Sequence, residues 1–458
     1  MHGFKPIVAL MAVCSAVAPA IVRADDDVAA LRAELQSLRA DYDARVAALE
    51  SRIGQLEATA TVAAAPEPVP AVAAASSASA FNPAISLIFA GNYTNLSEDP
   101  ESWRVAGFIP SGGEVGPGER SFNLSESELV LSSNVDPYFS ATLIAAITGE
   151  DEIEVEEAYF RTLALPSGFT VKGGRFFSSF GYLNEVHAHA WDFIDQPLVY
   201  QAFVGNQMGQ DGLQVKWLAP TDLFIEFGAE AGNGQAFPGT RRDRNGLNGT
   251  TLFAHVGGDL GESTSWRVGA SWLDLRADDR TYEDVNDLGE PVLNSFTGSS
   301  RTWVADAVLK WSPNGNVARQ QLKLQAEYFR RKENGQLTFD AEGLGLSDAY
   351  RGDQSGWYVQ SVYKFLPRWR VGVRYDALDS GSPDIGLVDD GVLLPESFPI
   401  LFAASPERIS TMLDWSPSEF TRLRAQFSWD DARDEGRYDR QFRLQYIYGI
   451  GAHGAHKY

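Results

Sequence analysis

His187 and His189 stand two residues apart in the run Asn184-Glu-Val-His-Ala-His-Ala-Trp-Asp-Phe193, with Glu185, Asp192 and Asp195 close by in sequence. Neutral imidazoles and carboxylates together suit zinc or copper, and ligating histidines commonly lean on a further carboxylate. His187 and His189 are therefore candidate ligands for a divalent metal ion, and equally candidates for ordinary loop hydrogen bonding. No other cofactor is called for. His453 and His456 lie at the far end of the chain, and His255 stands alone in a strand-like run. Ser178 and Ser179 precede the histidines and could be drawn on paper into a serine–histidine–aspartate group. No nucleophile elbow surrounds either serine, so the chain reads as a non-enzyme.

These residues sit between two strand-like runs, Phe169–Gly181 and Asp211–Trp217. The connecting stretch carries Trp191, Phe193, Leu198, Tyr200 and Phe203. Loops normally run over the surface, and long ones are functional or disordered. This one is too aromatic to be left in water. The expectation is that residues 178–210 fold back into the lumen of a β-barrel and narrow it, with Glu185, His187, His189, Trp191, Asp192 and Asp195 as pore-loop residues.

From Phe81 onward one unit repeats, an alternating run followed by turn residues. Leu423-Arg-Ala-Gln-Phe-Ser-Trp429 and Leu322-Lys-Leu-Gln-Ala-Glu-Tyr328 are clear examples. Apolar residues keep one parity and polar residues the other, the pattern of a strand with one wet face. Sixteen such runs start near residues 83, 121, 137, 152, 168, 211, 222, 249, 263, 300, 318, 355, 368, 407, 419 and 439. Tight turns, such as Pro220-Thr-Asp222 and Pro313-Asn-Gly315, alternate with long connections at 95–120, 178–210, 232–248, 275–299, 331–354 and 379–406. Apolar stripes bounded by aromatics, Trp303 with Trp311 and Trp357 with Phe365, suit the girdles of a membrane barrel. The predicted fold is all-β, a transmembrane antiparallel barrel of about sixteen strands over residues 81–458. A charge on the lipid face costs roughly 2–4 kcal/mol at mid-membrane. Lys172, Lys216, Arg267, Lys323, Arg370, Arg374, Arg422, Arg424 and Arg443 are therefore expected to face the lumen, with Glu226, Asp306 and Glu327 on the same side.

Residues 1–24 read as a secretory signal peptide, with Lys5 before an apolar run. Cys14, the single cysteine among 458 residues, lies inside it, so the exported chain has no thiol chemistry. Residues 25–58 carry a heptad seam from Val28 to Leu56, predicting an α-helical coiled coil that self-associates as a trimer. Residues 59–80 are an Ala/Pro/Ser linker. The even strand count returns both termini to the short-turn, periplasmic side, so the N-terminal segment is expected in the periplasm and the barrel in a bacterial outer membrane. Its partners would be outer-membrane lipid and lipopolysaccharide, and small solutes or ions. A net charge of −23 argues against nucleic acid as a partner.

Glu154-Val-Glu-Glu-Ala-Tyr159, followed by Gly174-Arg-Phe-Phe-Ser-Ser-Phe-Gly181, resembles the phosphate-selective porin O/P-like barrels. The resemblance implies a sixteen-stranded trimeric porin with a pore loop after this turn. Phosphate selectivity is not carried over, since the candidate pore loop has no dense Lys/Arg run. The Asn184–Phe193 run and the ending Gly451–Tyr458 are similar to a group often labelled TonB-dependent or zinc-regulated outer-membrane receptors. Such a receptor would have a larger barrel behind a folded plug, and here a heptad and a linker occupy the plug's place. The function these readings imply is passive diffusion of small hydrophilic solutes or ions, with a metal-ion receptor as the alternative.

Overall fold

The computed structural model describes residues 83–451, apart from 113–114, 150–151, 241–242 and 287. The signal, coiled-coil and linker expectations, and His453 and His456, lie outside the described residues. Of the eighteen strands in one sheet, two are short loop pieces, Ser121–Leu124 and Asp384–Ile385. The other sixteen form the wall. They are β1 (Ala84–Leu96), β2 (Ser127–Asn134), β3 (Phe139–Ile147), β4 (Ile153–Thr162), β5 (Phe169–Phe177), β6 (Gly209–Leu218), β7 (Phe224–Gly232) and β8 (Gly249–Leu260). Then follow β9 (Thr264–Val285), β10 (Pro291–Trp311), β11 (Gln321–Phe339), β12 (Leu346–Leu366), β13 (Trp369–Asp379), β14 (Glu407–Ser418), β15 (Thr421–Asp431) and β16 (Asp439–Gly451). Each strand pairs antiparallel with its sequence neighbours. β1 closes on β16, with Ser86 opposite Gly451 and Leu96 opposite Gln441. Closure leaves no edge strand, which a wall in lipid requires. That register sets Ala84 and Gly451 at the same, short-turn end. No described helix is long and apolar enough to cross a membrane, a statement silent on spanning strands.

β11 shows how one strand serves two environments. Its outward residues begin Leu322, Leu324, Ala326, Tyr328 and continue Arg330, Lys332, Asn334, Gln336. Its inward residues run Lys323, Gln325, Glu327 and end Leu337, Phe339, both buried. The lower half is therefore apolar outside and polar inside, whereas the upper half is polar outside and mixed inside, where Arg331 and Glu333 are buried with Leu337 and Phe339. Trp303 and Trp311 bracket the apolar stripe of β10. Eight residues at 3.4 Å are about 27 Å along the strand. With a tilt near 40° the band is roughly 20 Å tall, close to that of outer-membrane barrels. Exposed Trp303, Val373, Leu444 and Tyr448 face outward where a soluble protein would place charge.

Two expected long loops are instead strand. Residues 275–299 and 331–354 form the upper halves of β9 to β12, turned at 286–290 and 340–345. Above the band their outward face turns polar while the inward face stays mixed, and in β9 the register shifts between Ala277 and Arg280, so a search for one constant parity stops too soon. The run near 121 likewise divides, since Ser121–Leu124 pairs with the upper part of β1 and the wall strand begins at Ser127.

Candidate functional site

The connection between β5 and β6 lies against the inward faces of the strands. Asn184, fully buried, pins its neck. Its amide donates to the Ser178 and Met208 carbonyls at 2.7 and 3.0 Å, and its Oδ1 accepts from Met208 N–H at 2.8 Å. Gly181 makes the first bend with φ +63°. A Cβ there would come within 2.3 Å of Glu327 Oε2 and 2.9 Å of the Tyr200 hydroxyl, so both the conformation and the space select glycine. Helix α1 (Leu198–Val204) is buried on every side and ends at Gly205, φ +64°. An apolar helix of seven residues without a wet face needs an enclosed site. Phe180, Leu183, Tyr200 and Phe203 pack with Phe329 of β11, Tyr358 of β12 and Phe108 of the first long loop.

Charged anchors hold this loop from several sides. Asp192 accepts from Lys323 at 2.9 Å, Arg370 at 2.8 Å and Gln360 at 3.2 Å. Asp195 accepts from Arg374 at 2.8 Å and Gln426 at 3.0 Å, pairs with Arg408 at 3.1 Å, and also meets Arg443. Main-chain carbonyls serve as well. Arg424 donates to Trp191 O at 2.6 Å, Arg422 to His189 O at 3.0 Å, and Arg267 to Gly181 O at 2.6 Å. Glu327 of β11 receives Tyr182 N–H at 3.1 Å and the hydroxyls of Tyr200 at 2.9 Å and Tyr358 at 2.6 Å. Trp191 places its indole in the apolar cluster and donates Nε1–H to Val186 O at 2.6 Å. At this level the wall side chains are buried: Asp376, Asp414 and Arg424 have no exposed surface, and Arg374 retains 1 %.

Toward the short-turn end the inward charges meet water again. Arg267, Arg370 and Arg422 are 27, 21 and 23 % exposed. Lys216 lies 3.6 Å from Glu185, and Lys172 lies 3.8 Å from the same carboxylate. Every cation expected at the lumen, from Lys172 to Arg443, is on the inward parity of its strand, and His255 there faces Glu226 at 3.1 Å.

The carboxylates grouped in sequence with the histidines are drawn elsewhere. Glu185 goes to lysines, Asp192 to Lys323 and Arg370, and Asp195 to arginines, because successive residues of a loop crossing the interior point at different walls. His187 and His189 instead face Glu128, Glu156 and Glu157 of β2 and β4. Glu156 and Glu157 lie in the Glu154–Tyr159 run that carries the porin resemblance, but neither they nor Glu128 were joined to the histidines from sequence; Glu128 and Glu157 at strand positions of polar parity were the available signal. The Ser178 hydroxyl donates to Glu230 rather than serving a histidine. Arg408 and Asp376 are further anchors the sequence reading passed over, and Asp414 steadies the anchoring Arg370 and Arg424 from the wall.

No family model matches the chain. Among solved structures, a loop L8 deletion mutant of OmpT, an outer membrane protein of Vibrio cholerae, aligns over 81 % of this chain and 99 % of that one, with TM-score 0.50 and 10 % identity. The outer membrane channel DcaP of Acinetobacter baumannii aligns over 83 % and 100 %, with TM-score 0.48 and 13 % identity. At such identity the OmpT match speaks for the fold alone, a closed sixteen-strand antiparallel barrel. A curated relative, the "Uncharacterized protein" of Aquifex aeolicus (strain VF5), is 33 % identical over 404 residues, covering 83 % of this chain and 80 % of its own. With that identity over most of both sequences, the chain belongs to the same family as this Aquifex protein.

Proposed function

We propose that the protein is an outer-membrane channel of the porin type, passing small hydrophilic solutes or ions by diffusion, with the β5–β6 loop as its constriction. The observation that carries this reading is a closed barrel whose mid-height face is apolar outside and charged inside, with a loop fastened among the inward charges by Asp192 and Asp195. A wall sealed for lipid and a polar lumen suit passage of water-soluble species. The resemblance of Gly174–Gly181 to the turn before a pore loop supports the same assignment. The proposed site is the outer membrane, among lipid and lipopolysaccharide. The signal peptide would export the chain, and residues 25–58 would act in the periplasm and help assemble a homotrimer. The water-exposed inward charges near the short turns are mostly basic, which favours anions over cations.

The test is single-channel recording of the refolded full chain in a planar bilayer under a KCl gradient. Discrete conductance steps, grouped in threes for a trimer, with a reversal potential on the anion side, are the expected result. A demonstrably folded barrel that carries no current, in wild type and in loop-released variants alike, would overturn the reading.

A further inference from the structure

The acidic wall facing the two histidines is a feature that loop anchoring does not require. Glu128 comes from β2, Glu156 from β4 and His187 from the loop, and one ligand atom of each lies within 4.8 Å of the others. His187 Nδ1 is 3.3 Å from Glu156 Oε2 and 3.5 Å from Glu128 Oε2. That nitrogen and the Glu156 oxygen are both buried, at ion-pair distance from one another without the alignment of a hydrogen bond.

Each donor is aimed from behind. His187 Nε2 lies 3.1 Å from Glu157 Oε2. A carboxylate on one imidazole nitrogen fixes the tautomer and turns the lone pair of the other nitrogen outward, the usual arrangement behind a metal-bound histidine. Glu128 Oε1 lies 2.5 Å from His189 Nδ1, which leaves Oε2 turned to the site. Glu156 and Glu157 are adjacent, and a regular strand would send them to opposite faces. Here Ile144 pairs with Glu157 and Ala145 with Val155, so Glu156 is the extra residue of a bulge. Bulges re-aim side chains in this way, and they are common beside functional sites. A lone pair and two carboxylate oxygens converging in a low-dielectric interior repel one another unless a positive charge lies between them.

We propose that Glu128, Glu156 and His187 bind one divalent transition-metal ion of the zinc class, oriented by Glu157 and His189, and that the ion pins the inner loop to the β2–β4 side of the wall. One imidazole and two carboxylates form a zinc-type donor set with a position left for water. Binding stands without the channel reading, and only its consequence for current rests on that reading.

The test uses the full-length refolded protein with His453→Ala and His456→Ala, which removes the distal histidines as competing ligands. Co2+ is titrated by visible absorption and Zn2+ by calorimetry. The expected result is one ion per chain, cobalt displaced by zinc, and at least a hundredfold weaker binding for His187→Ala and for Glu156→Gln. Glu157→Gln, which leaves all three donors in place, is expected to weaken binding about 10- to 100-fold. Equal binding by the parent and by a folded His187→Ala protein overturns the site. So does absence of saturable binding, in which case His187 sits between the glutamates as a protonated imidazolium. On the same samples, zinc is expected to lower the current of the parent and not of His187→Ala. Saturable binding in a barrel that never conducts would leave the site standing while the channel reading fell.

Discussion

Replacing Asp195 by Asn keeps the shape of the side chain and removes the charge on which Arg374, Arg408 and Arg443 converge. All four groups are buried, with Asp195 itself 8 % exposed. Removing one partner of a buried ion pair costs about 3–5 kcal/mol, because the remaining charge stays out of water. Compensation places this case at the lower end. Arg374 and Arg408 keep Asp376 at 3.0 and 3.6 Å, and Arg443 keeps the Gln441 amide oxygen at 3.0 Å. The wall needs no contribution from Asp195, so the loss falls on docking of the loop. About 3 kcal/mol shifts the docked-to-released ratio by roughly two powers of ten, since each 1.4 kcal/mol is tenfold. In single-channel recordings Asp195→Asn is expected to show larger or more frequent open steps than wild type, with unchanged gel mobility of the folded barrel. Asp353→Asn is the control. It breaks a pair with Arg330 that is exposed on both sides, where the effect is about 0–1 kcal/mol. Identical currents from a folded Asp195→Asn barrel and from wild type would refute the argument that this carboxylate holds the loop.

Gly181→Ala places a methyl group against Glu327 and Tyr200 at a positive φ. It is expected to loosen the loop by ~1–2 kcal/mol, read as faster proteolysis within 182–208 at unchanged barrel content. Tyr358→Phe removes a hydroxyl that donates to Glu327 at 2.6 Å, leaving a buried carboxylate oxygen short of one donor. The expected loss is about 1–3 kcal/mol, visible as a lower temperature of heat modification on gels. Val373→Arg puts a charge on the outward face of β13, where Val373 is 48 % exposed. At mid-membrane this costs about 2–4 kcal/mol, and it should lower the folded fraction in bilayers more than in detergent. Changing Arg267, Arg370 and Arg422 together to Gln should move the reversal potential toward the cation side, and an unmoved potential would remove these residues from selectivity.

The alternation of Leu, Trp and Tyr with Arg, Lys and Gln was enough to read the all-β class, the strand number and most strand starts, because a barrel in lipid imposes a period of two on each crossing. It also gave the expectation that the cations face the lumen, since a wrong parity would set them in hydrocarbon. The same rule failed above the band, where β9 to β12 continue with polar residues outward and a mixed inward face, so the local alternation no longer names the inside. The aromatic content of 182–210 marked the loop as enclosed, a consequence of composition alone. What faces what was settled only by tertiary structure. Asp192 and Asp195 stand close to the histidines in sequence yet meet arginines of β13 to β16. The histidines meet glutamates from β2 and β4, one of them turned inward by a bulge that no spacing rule announces. Composition and period act along the chain, whereas the partner of a buried charge is fixed by barrel closure, which brings strands from opposite ends of the sequence around one loop.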